Sequence, residues 1–372
     1  MITKDDESLC HQIVSTFDHV DSSDKNWYEK TWLAVHENSG RIMVDAGFGK
    51  YANRNVMDAF GGVAVGNTAQ HTVRASRELR PDIDTIAVGP LSYEVVEPLR
   101  KIHVCLKEND YGISFDIEFE ARMQLHEPAP SFTRLRGATM HHACRFFQLG
   151  CARGKVVVEG KTYDIKQDNW WAARDRSWGI RPVGTPPPGA YWARPDSGQP
   201  ESGLQPFPQI GKLTSHWTWF QFKDYGLCFM FYEGAEGKPL SIQGELVHPF
   251  GDERMPLPII DLHYQFEYVP GTEKVKQGEL TVTTADGVKR EISIKPLGVQ
   301  FHLLPAGYLG GYKGWLIGKW MGPYAIDGER LELKDPKVQE GLSGAVVDDV
   351  LYEFKCEGDV GYGVIESVVI TG

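Results

Sequence analysis

Alternation of apolar and polar residues with a period of two, punctuated by glycine and aspartate turns, restricts this chain to β architecture. Residues 280–294 read as two strands about an Asp286-Gly287 turn, with Val282 facing one side and Ile292 and Ile294 repeating the pattern. Residues 155–165 do the same about Glu159-Gly160. Further strands are predicted at 32–35, 102–106, 113–121, 217–222, 226–232, 259–268 and 363–370. Helical stripes are scarce, and short helices are predicted only over 6–15 and 331–339. Many short strands between Gly, Asp and Pro turns predict an all-β sandwich or barrel. The 40 glycines and 22 prolines among 372 residues suit such a turn-rich body.

One segment breaks the pattern. Residues 183–211 carry Pro186-Pro187-Pro188 and then Pro195, Pro200, Pro206 and Pro208, a turn and polyproline composition. A stretch this long is either an inter-domain linker or a functional flap. It divides the chain into an N-terminal β domain, 1–182, and a C-terminal β domain, 212–372. The two glycine-turn hairpins fall one on each side, which fits either an internal duplication or two unrelated hairpins.

Charge and composition narrow the partners. With 39 basic and 50 acidic residues the formal charge is -11, which repels a phosphate backbone and an anionic membrane alike and argues against nucleic-acid binding. No run of about 18 apolar residues occurs, so no transmembrane segment is expected. The opening Met1-Ile2-Thr3-Lys4-Asp5-Asp6-Glu7 lacks the basic end and apolar run of a signal peptide, and a cytoplasmic location is expected. The six cysteines, at 10, 105, 144, 151, 228 and 356, form no CxxC pair and are expected to be reduced. Cys144 and Cys151 follow His141-His142, but at no spacing that defines a metal site, and no metal is expected. The glycine-rich stretches 61–67 and 307–314 match neither a P-loop nor a dinucleotide fingerprint, and no G-x-S-x-G elbow is present.

The most distinctive string is 168–181, Asp-Asn-Trp-Trp-Ala-Ala-Arg-Asp-Arg-Ser-Trp-Gly-Ile-Arg. A guanidinium of Arg174, Arg176 or Arg181 meeting Asp175 would hold it ionised. Tryptophans around it would instead desolvate it and make it a proton donor. A purely architectural Arg–Asp–Trp cluster is the third reading. Within this string, residues 175–181, Asp-Arg-Ser-Trp-Gly-Ile-Arg, resemble the D-x-S-W-G-x-R signature of the carotenoid 1,2-hydratase and AttH-like proteins. Residues 47–55, 97–101 and 361–366 carry shorter fragments of the same resemblance. It implies two lipocalin-like β-barrel domains, distantly related to tocopherol cyclase and kievitone hydratase. It also implies acid-initiated hydration or cyclisation of a prenyl-type alkene, with no redox cofactor or metal.

That chemistry makes physical demands. Protonating an isolated alkene needs a carboxylic acid kept protonated in an apolar pocket, and the resulting cation needs aromatic faces within about 6 Å. Residues 215–222 alternate so that His216, Thr218 and Phe220 share one strand face and Trp217, Trp219 and Gln221 the other. Asp261 and His263 form an acid–imidazole pair two residues apart. Asp175 or Asp261 is therefore the expected acid, and His216 or His263 the group that orients or deprotonates water. Trp171, Trp178, Trp217, Trp219, Tyr232 and Tyr264 are the expected substrate-lining aromatics. For Asp261 and His263 a solvated outer face, and for Trp217 and Trp219 plain core packing, are the competing readings. The expected partner is a hydrophobic small molecule, turned over by a hydratase or cyclase or merely carried by a lipocalin-like binder. Ten tryptophans would also suit stacking on a sugar.

Overall fold

In the computed structural model, residues 1–7, 9–135, 138–183, 212–308, 311–342 and 347–371 are described. The segment expected as linker or flap, 183–211, lies outside them except for Val183. The strands of the first half are β1 (Trp27–Glu37), β2 (Ile42–Tyr51), β3 (Val56–Val65), β4 (Ala69–Glu78), β5 (Ala87–Val88), β6 (Leu91–Glu97), β7 (Lys101–Leu106), β8 (Ile113–His126), β9 (Ser131–Leu135), β10 (Ala138–Val158), β11 (Lys161–Ile165) and β12 (Trp170–Ile180). Those of the second half are β13 (Lys212–Gln221), β14 (Gly226–Tyr232), β15 (Ser241–Val247), β16 (Leu257–Tyr268), β17 (Val275–Thr284), β18 (Lys289–His302), β19 (Tyr324–Glu332), β20 (Asp348–Cys356) and β21 (Asp359–Thr371). The fold is all-β and has two bodies, as expected.

The first body is an open antiparallel sheet in the order β19-β4-β3-β2-β1-β12-β10-β8-β7-β6-β5, with β9 and β11 attached to β10. The second is a closed eight-stranded barrel, β13-β14-β15-β16-β17-β18-β20-β21. Strand β19 leaves the barrel half and pairs with β4, so the sheet takes in residues from both sides of the proline-rich segment. Both glycine-turn hairpins form as read, β10–β11 about Glu159-Gly160 and β17–β18 about Asp286-Gly287.

The helix expectations are corrected. Among the described residues of 6–15, a single 3₁₀ turn forms, at Lys4–Glu7. The Asp6 carboxylate accepts the backbone N–H of Thr3 at 2.6 Å and of Phe17 at 3.0 Å and meets His11 at 2.8 Å, which closes a loop in place of a helical ladder. In the second region the short helix α1 (Pro336–Leu342) starts five residues later than read, because β19 runs to Glu332. Pro336 suits the first helical turn, and Asp335 caps it by accepting the Lys337 N–H at 2.8 Å.

Sheet and barrel pack through a shared apolar layer. Ala34, Met43, Phe60, Phe147 and Leu149 from the sheet meet Trp219, Phe301, Leu351 and Val364 from the barrel. Polar ties lock the junction: Gln70 donates to the His302 carbonyl and accepts its N–H, both at 2.8 Å, and His126 meets Glu245 at 2.8 Å. The barrel's own interior is filled with aromatic side chains, including Phe220 stacked on Phe354 at 3.9 Å, Phe229 and Phe231. Among the described residues no helix is long and apolar enough to cross a membrane.

Candidate functional site

Strand register builds a recess on the barrel-facing side of the sheet. One cross-strand row runs Arg145, Ser177, Lys30, Gly49, Asp58, Ser76; the next runs Phe147, Asp175, Trp32, Gly47, Phe60, Arg74. Two glycines leave room at the centre. A Cβ on Gly49 would lie 2.4 Å from the Tyr51 hydroxyl and 2.6 Å from Asp58, and one on Gly47 would lie 2.4 Å from the Phe60 ring. The recess has about 400 Å³ of free space counted out through its open mouth, and Lys30, Trp32, Tyr51, Asp58, Phe60, Asp175 and Arg181 line it. Tyr308 and Ile317, from the chain between β18 and β19, close it over.

Its polar groups are short of partners. The Lys30 ammonium, the Trp32 Nε1 and one Asp175 oxygen are all buried with no hydrogen-bond partner among the described residues, and the buried Tyr51 hydroxyl faces Asp58. Buried polar groups are normally satisfied, so such a convergence marks a place for water or a ligand. Lys30 lies 4.9–5.8 Å from the ring centres of Tyr308, Tyr28 and Tyr51. Arg181 stacks on Tyr28 at 4.6 Å and donates to the Tyr308 hydroxyl at 3.1 Å. Asp58 accepts the Gly318 N–H at 2.6 Å.

Burial sets the protonation states. It pushes the Asp58 carboxyl up to about 6, against the Gly318 N–H and the Lys30 charge, which favour ionisation. It holds Lys30 well below the ordinary amine range, an effect that Arg181 reinforces and Asp58 and Asp175 oppose. Tyr51 is raised well above an ordinary phenol by burial and by Asp58, and it stays a hydrogen-bond donor. Behind the recess burial pushes Glu366 up to about 8, with Asp349 and Asp175 adding and Arg145 and Arg181 opposing. A carboxyl poised near neutrality beside an enclosed space can act as a general acid or base.

The expected residues divide between several places. Asp175 lines the recess, and the cation beside it is none of its sequence neighbours: Arg145, from β10, approaches to 3.7 Å. Strand alternation turns Arg174 to Gln148 and Arg176 to Glu29 on the other face of β12. Asp261 and His263 are corrected. They stand 3.6 Å apart on the outer face of β16 with side chains 60% and 43% exposed, because Leu262 and Tyr264 take the inward positions. His216 is fully buried but inside the barrel, bonded to Ser367 and Glu233, and Tyr264 lies in the same interior. Tyr232 is half-buried on β14, outside the recess.

The tryptophan wall is corrected too. Trp178 is 36% exposed on the face of β12 away from the recess. Trp171 packs under Arg122 at 4.7 Å and beside Tyr362, at an open groove at the other end of the junction. Trp219 is core, edge-on to Trp32 at 5.7 Å, and Trp217 carries the Arg145 guanidinium at 5.2 Å. Among the described tryptophans, Trp32 lines the recess.

A family model matches residues 2–372, nearly the whole chain. The chain belongs to a family of unknown function, DUF8625. No curated protein sequence matches this DUF8625 chain. Among solved structures it is similar to kievitone hydratase from Nectria haematococca, at 11% identity over 92% of this chain and 89% of that one, with a TM-score of 0.41. It is also similar to CghA with Sch210972, at 10% identity over 93% and 89% of the two chains, TM-score 0.46, and to CghA alone, TM-score 0.43.

Sequence reasoning missed Lys30, Asp58 and Arg181 as recess residues. A signal was present. The fragments 47–55 and 361–366, quoted for the resemblance, hold Gly47, Gly49 and Tyr51 of the recess and Glu366 behind it.

Proposed function

We propose that this protein is a cofactor-independent hydratase or cyclase that adds a proton and an oxygen nucleophile across an alkene of a hydrophobic small molecule. The convergence of Asp58, Lys30, Tyr51 and Asp175 on one recess, with several polar atoms left unpartnered, carries this reading. The likeness of 175–181 to the carotenoid 1,2-hydratase and AttH-like signature supports it. Asp58 is the acid that delivers the proton to carbon. The open oxygen of Asp175 takes a proton from water, or from a substrate hydroxyl in a cyclisation, as its oxygen bonds to the other alkene carbon. The π pair becomes the new C–H bond, the nucleophile supplies the C–O pair, and solvent returns the proton from Asp175 to Asp58.

The charges favour one kind of alkene. A free tertiary cation from an isolated prenyl group would form beside the Arg181 guanidinium, with Trp32, Phe60 and Tyr308 as its aromatic relief. An alkene conjugated to a carbonyl instead develops negative charge on oxygen, which Arg181 and the N–H and O–H donors of Lys30 and Tyr51 would stabilise. We therefore favour a polarised alkene on an apolar skeleton, and keep the prenyl type as the runner-up.

The test is solvent labelling. The purified protein, incubated in deuterium oxide with a chalcone-type enone and separately with a prenylated phenol, should place one deuterium on carbon in the enone product. Asp58→Asn should lower that turnover by about 10²–10⁴-fold while ligand affinity changes less than about threefold. Binding of both compounds without deuterium incorporation would replace the enzyme with a carrier.

A further inference from the structure

The barrel holds a second set of chemically competent groups, separate from the recess. His216 on β13 and Ser367 on β21 stand directly opposite each other in register, both side chains turned inward. The Ser367 hydroxyl lies 2.9 Å from His216 Nδ1, and His216 Nε2 lies 2.7 Å from Glu233 Oε1. Phe231 at 4.9 Å and Phe266 at 5.5 Å fix the imidazole, which is fully buried. Tyr268 donates its hydroxyl to the same Glu233 oxygen. A nucleophile bonded to a base, itself bonded to a carboxylate, is the arrangement that activates serine for acyl transfer. Which ring nitrogen faces which partner does not alter that chemistry, because both can carry the proton.

A narrow opening and a cation adjoin it. Ser367 borders a small pocket with Lys274, Asp348, Val350, Tyr352 and Ile365, whose free space of about 240 Å³ is counted out into open solvent. Lys274 is 29% exposed and pairs with Asp348 on the same pocket wall. Val350, Ile365 and Tyr352 form the apolar side of the pocket, which an acyl group would have to part on entering.

We propose that Ser367, His216 and Glu233 form an acyl-transfer site in the barrel that takes short-chain esters. Ser367 Oγ attacks the ester carbonyl as His216 Nδ1 takes its proton, and the oxyanion forms in the Lys274 field. Collapse breaks the C–O bond to the alcohol, which leaves with the proton from His216. Water then repeats the sequence and releases the carboxylic acid. Glu233 is a positioning residue, holding the imidazole and its charge.

The test treats the full chain with diisopropyl fluorophosphate and with 4-nitrophenyl acetate and maps the adducts by peptide mass. One phosphoryl adduct on Ser367 is expected, with fluoride released, and none in Ser367→Ala, a variant that loses a single hydroxyl. His216→Gln should slow labelling by about 10²-fold or more. Glu233→Gln, at a side chain 23% exposed, should shift the pH profile of the labelling rate without unfolding the chain. No adduct on Ser367 with either reagent would overturn the proposal. So would equal labelling rates in the parent and in both His216→Gln and Glu233→Gln.

Discussion

Glu366 shows how one residue trades stability for a protonated state. Its pKa of about 8 in the fold, against an ordinary 4.5, means that the folded chain keeps a proton that the unfolded chain has lost between those values. Stability therefore falls as pH rises from about 4.5 to 8 and stays at its reduced level above that. Glu366→Gln removes the penalty. Thermal unfolding should find the variant more stable than the parent by about 1–3 kcal/mol at pH 8.5 and unchanged at pH 4. A variant destabilised at pH 8.5 would mean that the ionised carboxylate contributes to the fold. Asp58 obeys the same sign over a narrower window, from 3.8 to about 6.

At the scale of elements, β19 and the chain that leads to it make the recess a closed space. Arg74 on β4 anchors them. Its side chain is 2% exposed, and it donates to the Pro305 carbonyl at 2.5 Å, to Asp327 at 2.5 Å and to Glu329 at 2.8 Å. Without Arg74 the Pro305 carbonyl loses its donor, while Glu329 keeps Lys313 and Asp327, 44% exposed, keeps water. Arg74→Met should cost about 1–3 kcal/mol in chemical denaturation and, by loosening the cover that carries Tyr308 and Ile317, weaken ligand binding as well. Loss of stability with unchanged affinity would separate the anchor from the cover.

Across the whole molecule the junction of sheet and barrel carries an acid pair. Asp45 of β2 and Asp349 of β20 face each other, both fully buried, with their four oxygens unmatched by other described groups. Burial lifts Asp45 to about 7, and burial plus the Asp45 charge lifts Asp349 well above an ordinary carboxyl. A shared proton ties the two bodies; its loss above pH 7 sets like charges against each other across the junction. Trp32 and Trp219, in contact at this layer, should report the change as a red shift of tryptophan fluorescence between pH 7 and 9. Asp349→Asn should abolish that shift, and a shift retained in the variant would place its origin elsewhere.

The all-β class, the two glycine-turn hairpins and the facing of β13 were legible in the sequence, because side-chain alternation and turn chemistry are local properties. His216, Thr218 and Phe220 do point into the barrel, and Trp217, Trp219 and Gln221 do point out toward the sheet. The identity of the recess was not legible. Lys30, Asp58 and Asp175 come from three strands far apart in sequence, and register alone places them in neighbouring rows. Periodicity says which residues share a face, but only tertiary packing decides whether that face meets water, as for Asp261 and His263, or an enclosed space, as for Asp58. Desolvation then sets the chemistry, and it depends on neighbours contributed by the whole chain.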